Sequence, residues 1–248
     1  MLIDNKNNRY PDDGLNIICV WDFIKQYAIL PGIKGDIDIV TGYFTLKALS
    51  KLYNELPEDD NFRIISSELV RNEMSPDKII NLLEGDKGIE SVFQLEQYVK
   101  DAIAFLKRDN VMVRAITNSF CHAKVYLYKS SDPTRSSFFI SGSSNMTDAG
   151  LGLIPTSNVE LNFANAVPQN DSDYRELRSW FKEIWDKASD TIHEDRNNPK
   201  SKRIPVKEFF IHQIEDFYRK YTPEEIYYKI LFEIFNSDLD LDASIEHR

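Results

Sequence analysis

Residues 121–128 read CHAKVYLY, and eighteen residues after Lys124 the chain reads Gly142-Ser143-Ser144-Asn145. The first run alternates. Ala123, Val125 and Leu127 fall on one face of an expected strand, and His122, Lys124, Tyr126 and Tyr128 fall on the other. On this reading His122 and Lys124 point together, out of the core and towards a common site. H-x-K followed by G-S-x-N assembles a nucleophile, a cation and neutral hydrogen-bonding groups, the parts needed to attack a phosphodiester without a metal ion.

Strand and helix signals alternate on either side of this run. Upstream, 16–29 reads as a helix closed by Pro31-Gly32, and Asp36–Val40 as a strand entering the turn Thr41-Gly42-Tyr43-Phe44. A helix is expected over 46–56, a strand over 62–66, helices over 76–83 and 89–108, and a strand over 111–117. Strands near 122–128 and 136–141 form an expected hairpin about Ser131-Asp132-Pro133. Downstream, Val159–Phe163 alternates, with Asn158, Glu160 and Asn162 on its polar face.

Helices follow over 171–189 and 206–220, separated by a polar stretch from His193 to Arg203. Thr222-Pro223-Glu224-Glu225 then supplies an N-cap, a first-turn proline and two acids for a last helix to about Phe235. The pattern predicts an α/β fold: a mixed, mostly parallel sheet flanked by helices on both faces. Residues 1–192 read as the main domain, and 193–248 as a helical extension or linker.

With 248 residues, 42% hydrophobic, the chain can bury a full core. No apolar stretch approaches the roughly 20 residues that span a bilayer, and MLIDNKNNRYPDDG lacks the apolar centre of a signal peptide. Cys19 and Cys121 stand far apart, as ordinary thiols of a reducing cytoplasm rather than a disulfide framework or zinc knuckle. Trp21, Trp180 and Trp185 read as core residues, and Arg71 and Arg114 as solvated cations near a possible phosphate path.

Net charge is −10, which argues against a general nucleic-acid coat. Between Lys107 and Arg135, however, six basic residues (Lys107, Arg108, Arg114, Lys124, Lys129, Arg135) face only Asp109 and Asp132. That leaves −14 for the remainder, and a locally positive segment about H-x-K fits a focused anion site.

HAKVYLY, FFISGSSNMTDAGL and NVELNF together resemble the phospholipase D superfamily of phosphodiesterases, in particular its bacterial nuclease and restriction-endonuclease branch. MLIDN and DIDIVTGYF are similar to phospholipase-D-like domains at the amino end of some bacterial helicases. The likeness covers about residues 35–165. It implies a phospholipase-D-like fold and a histidine that attacks phosphorus to form a phosphohistidine, with no cofactor and no metal.

Carried onto matching positions, the catalytic residues are His122, Lys124, Asn145 and Glu160. Lys124 would hold a non-bridging oxygen, and Glu160 would orient the His122 ring and stabilise its cationic form. Ser141, Gly142 and Ser143 would bind substrate with Asn145, Gly142 by letting the backbone come close. One departure stands out: the family places aspartate five positions after the lysine, where this chain has Lys129, with Asp132 out of register. This weighs mildly against a lipase and little against a nuclease.

The other histidines, His193, His212 and His247, lack a following H-x-K lysine. A single motif implies a twofold homodimer in which the two His122 rings meet, one attacking while the other acts as acid. No carboxylate cluster of the kind two-metal nucleases need is evident near the site. The expected partner is DNA, in a restriction or phage-defence setting, with no membrane involved. Two alternatives stand: a phospholipase of the same chemistry, or a DNA-binding or dimerisation module serving a helicase that would follow residue 248.

Overall fold

The computed structural model describes residues 1–66, 92–117, 121–154, 159–195 and 198–220. Seven strands form its main sheet: β1 (Leu2–Ile3), β2 (Gly35–Thr41), β3 (Asn61–Ser66), β4 (Val111–Ala115), β5 (Val125–Ser130), β6 (Ser137–Gly142) and β7 (Asn162–Val167). Their spatial order is β1-β7-β6-β5-β2-β3-β4. The sheet is mixed, but the expectation of mostly parallel pairing needs correction. β2, β3 and β4 pair in parallel, while β2–β5, β5–β6, β6–β7 and β7–β1 are antiparallel. The six residues between β5 and β6 are too few for the crossover that a parallel pair requires.

Helices cover both faces. One face lies under α1 (Val20–Ile24, continued as a π-helical turn over Lys25–Ile29), α2 (Leu46–Glu55), α3 (Val92–Lys107) and α6 (Val206–Lys220). The other carries α5 (Ser172–Lys187); the short α4 (Asp148–Leu151) follows G-S-S-N. Local chemistry sets these helices. Thr45 caps α2 by accepting from Ala48 N at 3.3 Å, and Leu46, Leu49 and Leu52 recur on its buried side. Asp171 caps α5 through Tyr174 N at 3.0 Å, and Tyr174, Phe181 and Trp185 make its buried stripe.

Beneath α5 a polar pair is built into the apolar layer. Arg63 on β3 donates two bonds of 2.7 Å to Asp38 on β2, which is 1% exposed. The guanidinium lies over the rings of Phe181 and Trp185, 4.9 and 5.6 Å from their centroids.

Several element bounds differ from the sequence expectation. The helix expected from Asn16 begins at Val20, because the Asp22 carboxylate accepts from Ile18 N and Cys19 N and fixes the start there. β5 begins at Val125, so His122 and Lys124 precede the strand. Tyr126 and Tyr128, expected on an outward face, are 2% and 1% exposed in the larger core. Their phenols donate to Ser144 O at 3.0 Å and Ile33 O at 2.8 Å, which lets the tyrosines sit under helices on a doubly covered sheet.

Val159–Leu161 likewise precede β7. The polar stretch from His193 to Arg203 is flanked by a small hairpin of β8 (Thr191–His193) and β9 (Arg203–Pro205). α6 puts Phe209, Phe210 and Ile214 into the same core as the main sheet, with Phe210 edge-on to Phe44 at 5.1 Å. The helices expected over 76–83 and 222–235, and Arg71, lie outside the described residues. No helix among the described residues is long and apolar enough to cross a membrane.

Candidate functional site

Strand register gathers four separated segments at one end of the sheet. Val40 pairs with Val125, Val125 with Ser141, and Gly142 with Asn162. Residues 41–43, 121–124, 142–145 and 159–161 therefore share that end. β2 and β3 also finish there, and the space beyond the carboxyl ends of strands is where open α/β sheets bind ligands.

Two sets of hydrogen bonds hold the loop after β6. Asn145 Oδ1 accepts from Gly42 N at 2.9 Å and lies 3.3 Å from Thr41 Oγ1, which in turn accepts from Met146 N at 2.9 Å. Fully buried Ser144 donates from its backbone N to Asn162 Oδ1 at 3.3 Å, and its Oγ accepts from Asn162 Nδ2 at 2.9 Å. Gly142 is required by close approach, but to β7 rather than to a ligand. A Cβ at 142 would fall 2.3 Å from Leu161 O and 2.6 Å from Asn162 Cα.

On this scaffold His122 is exposed, and Lys124 is buried with Nζ donating to His122 O at 2.8 Å. Gly142 N donates to Lys124 O at 3.1 Å, which ties H-x-K to G-S-x-N. Exposed Ser143 donates from Oγ to half-buried Glu160 Oε2 and accepts from Leu161 N at 3.0 Å. Ser141 is half-buried on the α5 side, paired with Val125 and Phe163. Burial first, and the charge of Glu160 second, push the Tyr126 phenol well above its ordinary value. Tyr126 is therefore a neutral donor at the base of this end.

The six basic residues between Lys107 and Arg135 do not gather here, which corrects the expectation of a positive patch about H-x-K. β4 and β5 run in opposite directions, so Lys107, Arg108, Lys129 and Arg135 belong to the other end of the sheet, roughly 20 Å away. Lys107 pairs with Glu215, and Arg108 lies over Tyr53. Arg114, expected to be solvated, donates to Trp185 O at 2.7 Å and stacks on that ring at 4.6 Å. Among the described residues, no group of three or more His, Cys, Asp or Glu side chains is placed to hold a metal ion.

Sequence reasoning missed Thr41, Gly42, Ser144 and Asn162 as parts of the scaffold. The signal available was a Thr-Gly pair ending an alternating strand and a second serine beside Ser143. No protein-family model matches the chain, and comparison with curated proteins finds no match. The fold and site define an α/β protein with a polar cluster at one end of a mixed sheet.

Proposed function

We propose that this protein hydrolyses phosphodiester bonds in DNA without a metal ion, through a phosphohistidine in a site shared by two copies. The supporting observation is the meeting of the H-x-K and G-S-x-N segments, joined by Gly142 N to Lys124 O, beside the Ser143–Glu160 pair. The link to the phospholipase D superfamily rests on those motif residues.

In the proposed reaction an imidazole nitrogen of His122 attacks phosphorus as the bond to the leaving oxygen breaks. That oxygen takes a proton from His122 of the second copy. Water then attacks the phosphohistidine, gives its proton to that second imidazole, and displaces the first ring by cleaving the P–N bond. Lys124 and the Asn145 amide hydrogens balance charge developing on the non-bridging oxygens. Glu160, held by Ser143, orients the ring and stabilises the imidazolium.

The test incubates labelled DNA, and separately phospholipid vesicles, with wild type and His122→Ala in excess EDTA. Wild type is expected to cut DNA and the variant to be inactive. Cleavage of lipid alone would make the phospholipase alternative correct. A fully active His122→Ala, or activity that vanishes on chelation, removes the reading.

A further inference from the structure

At the end of the sheet away from His122, a polar cleft of about 390 Å³ opens where β2 and β3 begin and β5 ends. Small-molecule sites span roughly 300–1,000 Å³. Its floor is a row of three residues in register: Lys129 on β5 pairs with Asp36 on β2, which pairs with Asn61 on β3. Lys129 and Asp36 continue the side of Leu127 and Asp38 at two-residue steps, the side that carries α5. The cover of α5 starts at Tyr174, whose phenol donates to Tyr128 O at 3.0 Å. The row lies just past that point, which leaves it open.

The walls are tied together. Ser131 N donates to Lys34 O at 2.9 Å, and Gln169 Nε2 donates to Ser130 O at 2.7 Å. Three segments distant in sequence therefore hold the cleft in shape.

Opposite charges placed directly across a sheet ordinarily pair. Lys129 and Asp36 do not. The half-buried Lys129 ammonium makes no hydrogen bond or ion pair within the described residues. Asp36 Oδ1 accepts from Asn61 Nδ2 at 2.9 Å, and its Oδ2 makes no hydrogen bond among those residues. A partly desolvated cation without a counterion favours an anion beside it. Lys34 adds a second ammonium, held only by a surface pair of 3.4 Å with Asp59 that a stronger oxyanion displaces.

The rest of the lining narrows the ligand. Asp36, Asn61, Ser131 and Gln169 offer a carboxylate, two amides and a hydroxyl, the groups that exchange hydrogen bonds with alcohols. None of the described lining residues is aromatic, so a nucleobase has no ring to stack on. A run of phosphates would meet Asp59 and Asp132 as well as the lysines.

We propose that this cleft binds the phosphomonoester of a small sugar, with the phosphate on Lys129 and Lys34 and the sugar hydroxyls on Asp36, Asn61 and Gln169. Calorimetric titration of the full chain tests it with ribose 5-phosphate, glucose 6-phosphate, the two free sugars, inorganic phosphate and a single-stranded oligonucleotide. At least one sugar phosphate is expected to bind, one molecule per chain, about 10-fold or more tighter than inorganic phosphate, with no binding of the free sugars. Lys129→Met and Asp36→Asn are each expected to weaken it by about 10-fold or more. Circular dichroism checks that the variants are folded. Should one misfold, amide resonances of wild type give the same readout: those of Gly35 and Ser131 are expected to move on titration with the sugar phosphate.

Failure of both sugar phosphates to bind at millimolar concentration overturns the proposal. So does undiminished binding in the folded variants, or a bound sugar phosphate that leaves the Gly35 and Ser131 amides unmoved. Inorganic phosphate bound as tightly would make the cleft a bare oxyanion site, and tighter binding of the oligonucleotide would assign it to a polymer; either result sinks the sugar phosphate. DNA cleavage is measured in none of these arms, so the outcome stands apart from the phosphodiesterase reading.

Discussion

Lys124 Nζ sits 2.8 Å from the carbonyl oxygen of His122, so the ammonium is anchored on the backbone of the residue that carries the imidazole. Charge and ring are thereby set as a unit. Lys124→Met keeps the length of the buried stem and removes the charge. It is expected to lower turnover on DNA by about 10²–10³-fold with little change in fold. Lys124→Arg is expected not to restore activity, because a planar fork does not replace a compact point charge. Steady-state cleavage assays decide this, and wild-type turnover in Lys124→Met would separate the lysine from the chemistry.

The Asp38–Arg63 pair predicts a stability effect remote from that site. Asp38→Asn removes the charge that Arg63 pairs with and that Arg178 approaches at 3.9 Å. Urea unfolding is expected to show a loss of about 2–4 kcal/mol, scaled down from a fully buried pair because Arg63 is partly exposed. A loss below about 1 kcal/mol would mean the pair behaves as a surface ion pair.

Asp60 supplies the pH dependence. It is 1% exposed, accepts from Gly35 N at 2.7 Å, and its Oδ2 is buried without a hydrogen bond. Burial, partly offset by the Gly35 bond, raises its carboxyl from 3.8 to about 6. The protonated acid is favoured in the folded state, so its stabilisation is complete below 3.8 and lost as pH rises through about 6. Asp60→Asn is expected to stabilise the protein above neutral pH by about 1–3 kcal/mol and to change little near pH 4. Thermal melts of both proteins across that range check the sign; a variant less stable than wild type above neutral pH would reverse it.

Gly142→Ala is expected to cost about 1–3 kcal/mol and to lower cleavage as well, because the new methyl pushes Leu161 and Asn162 away from the G-S-S-N loop. Retention of both stability and turnover would show that β7 yields freely at this point.

The sequence made β2, α2, β3 and α5 legible because each joins a clear period to a bounding cap or turn. β1 was not legible, since two residues carry no period; Leu2 and Ile3 become a strand only by pairing with Phe163 and Asn162. The H-x-K and G-S-x-N segments were legible as motifs, and the fold brings them to one end of the sheet. Their scaffold was not, because the bond between Gly42 N and Asn145 joins residues 103 apart and leaves no local pattern. Tyr126 and Tyr128 misled because alternation separates two faces without saying that both are buried. The basic run misled because a count along the chain takes no account of β4 and β5 reversing direction.

In the proposed reaction the Asn145 amide works at both ends: its oxygen is engaged by Gly42 N, and its nitrogen end meets the phosphate. Ageing that turns this amide into a carboxylate would spare the first function and invert the second. An old preparation would then look intact by every measure of shape while opposing the proposed phosphodiester with a charge of the same sign.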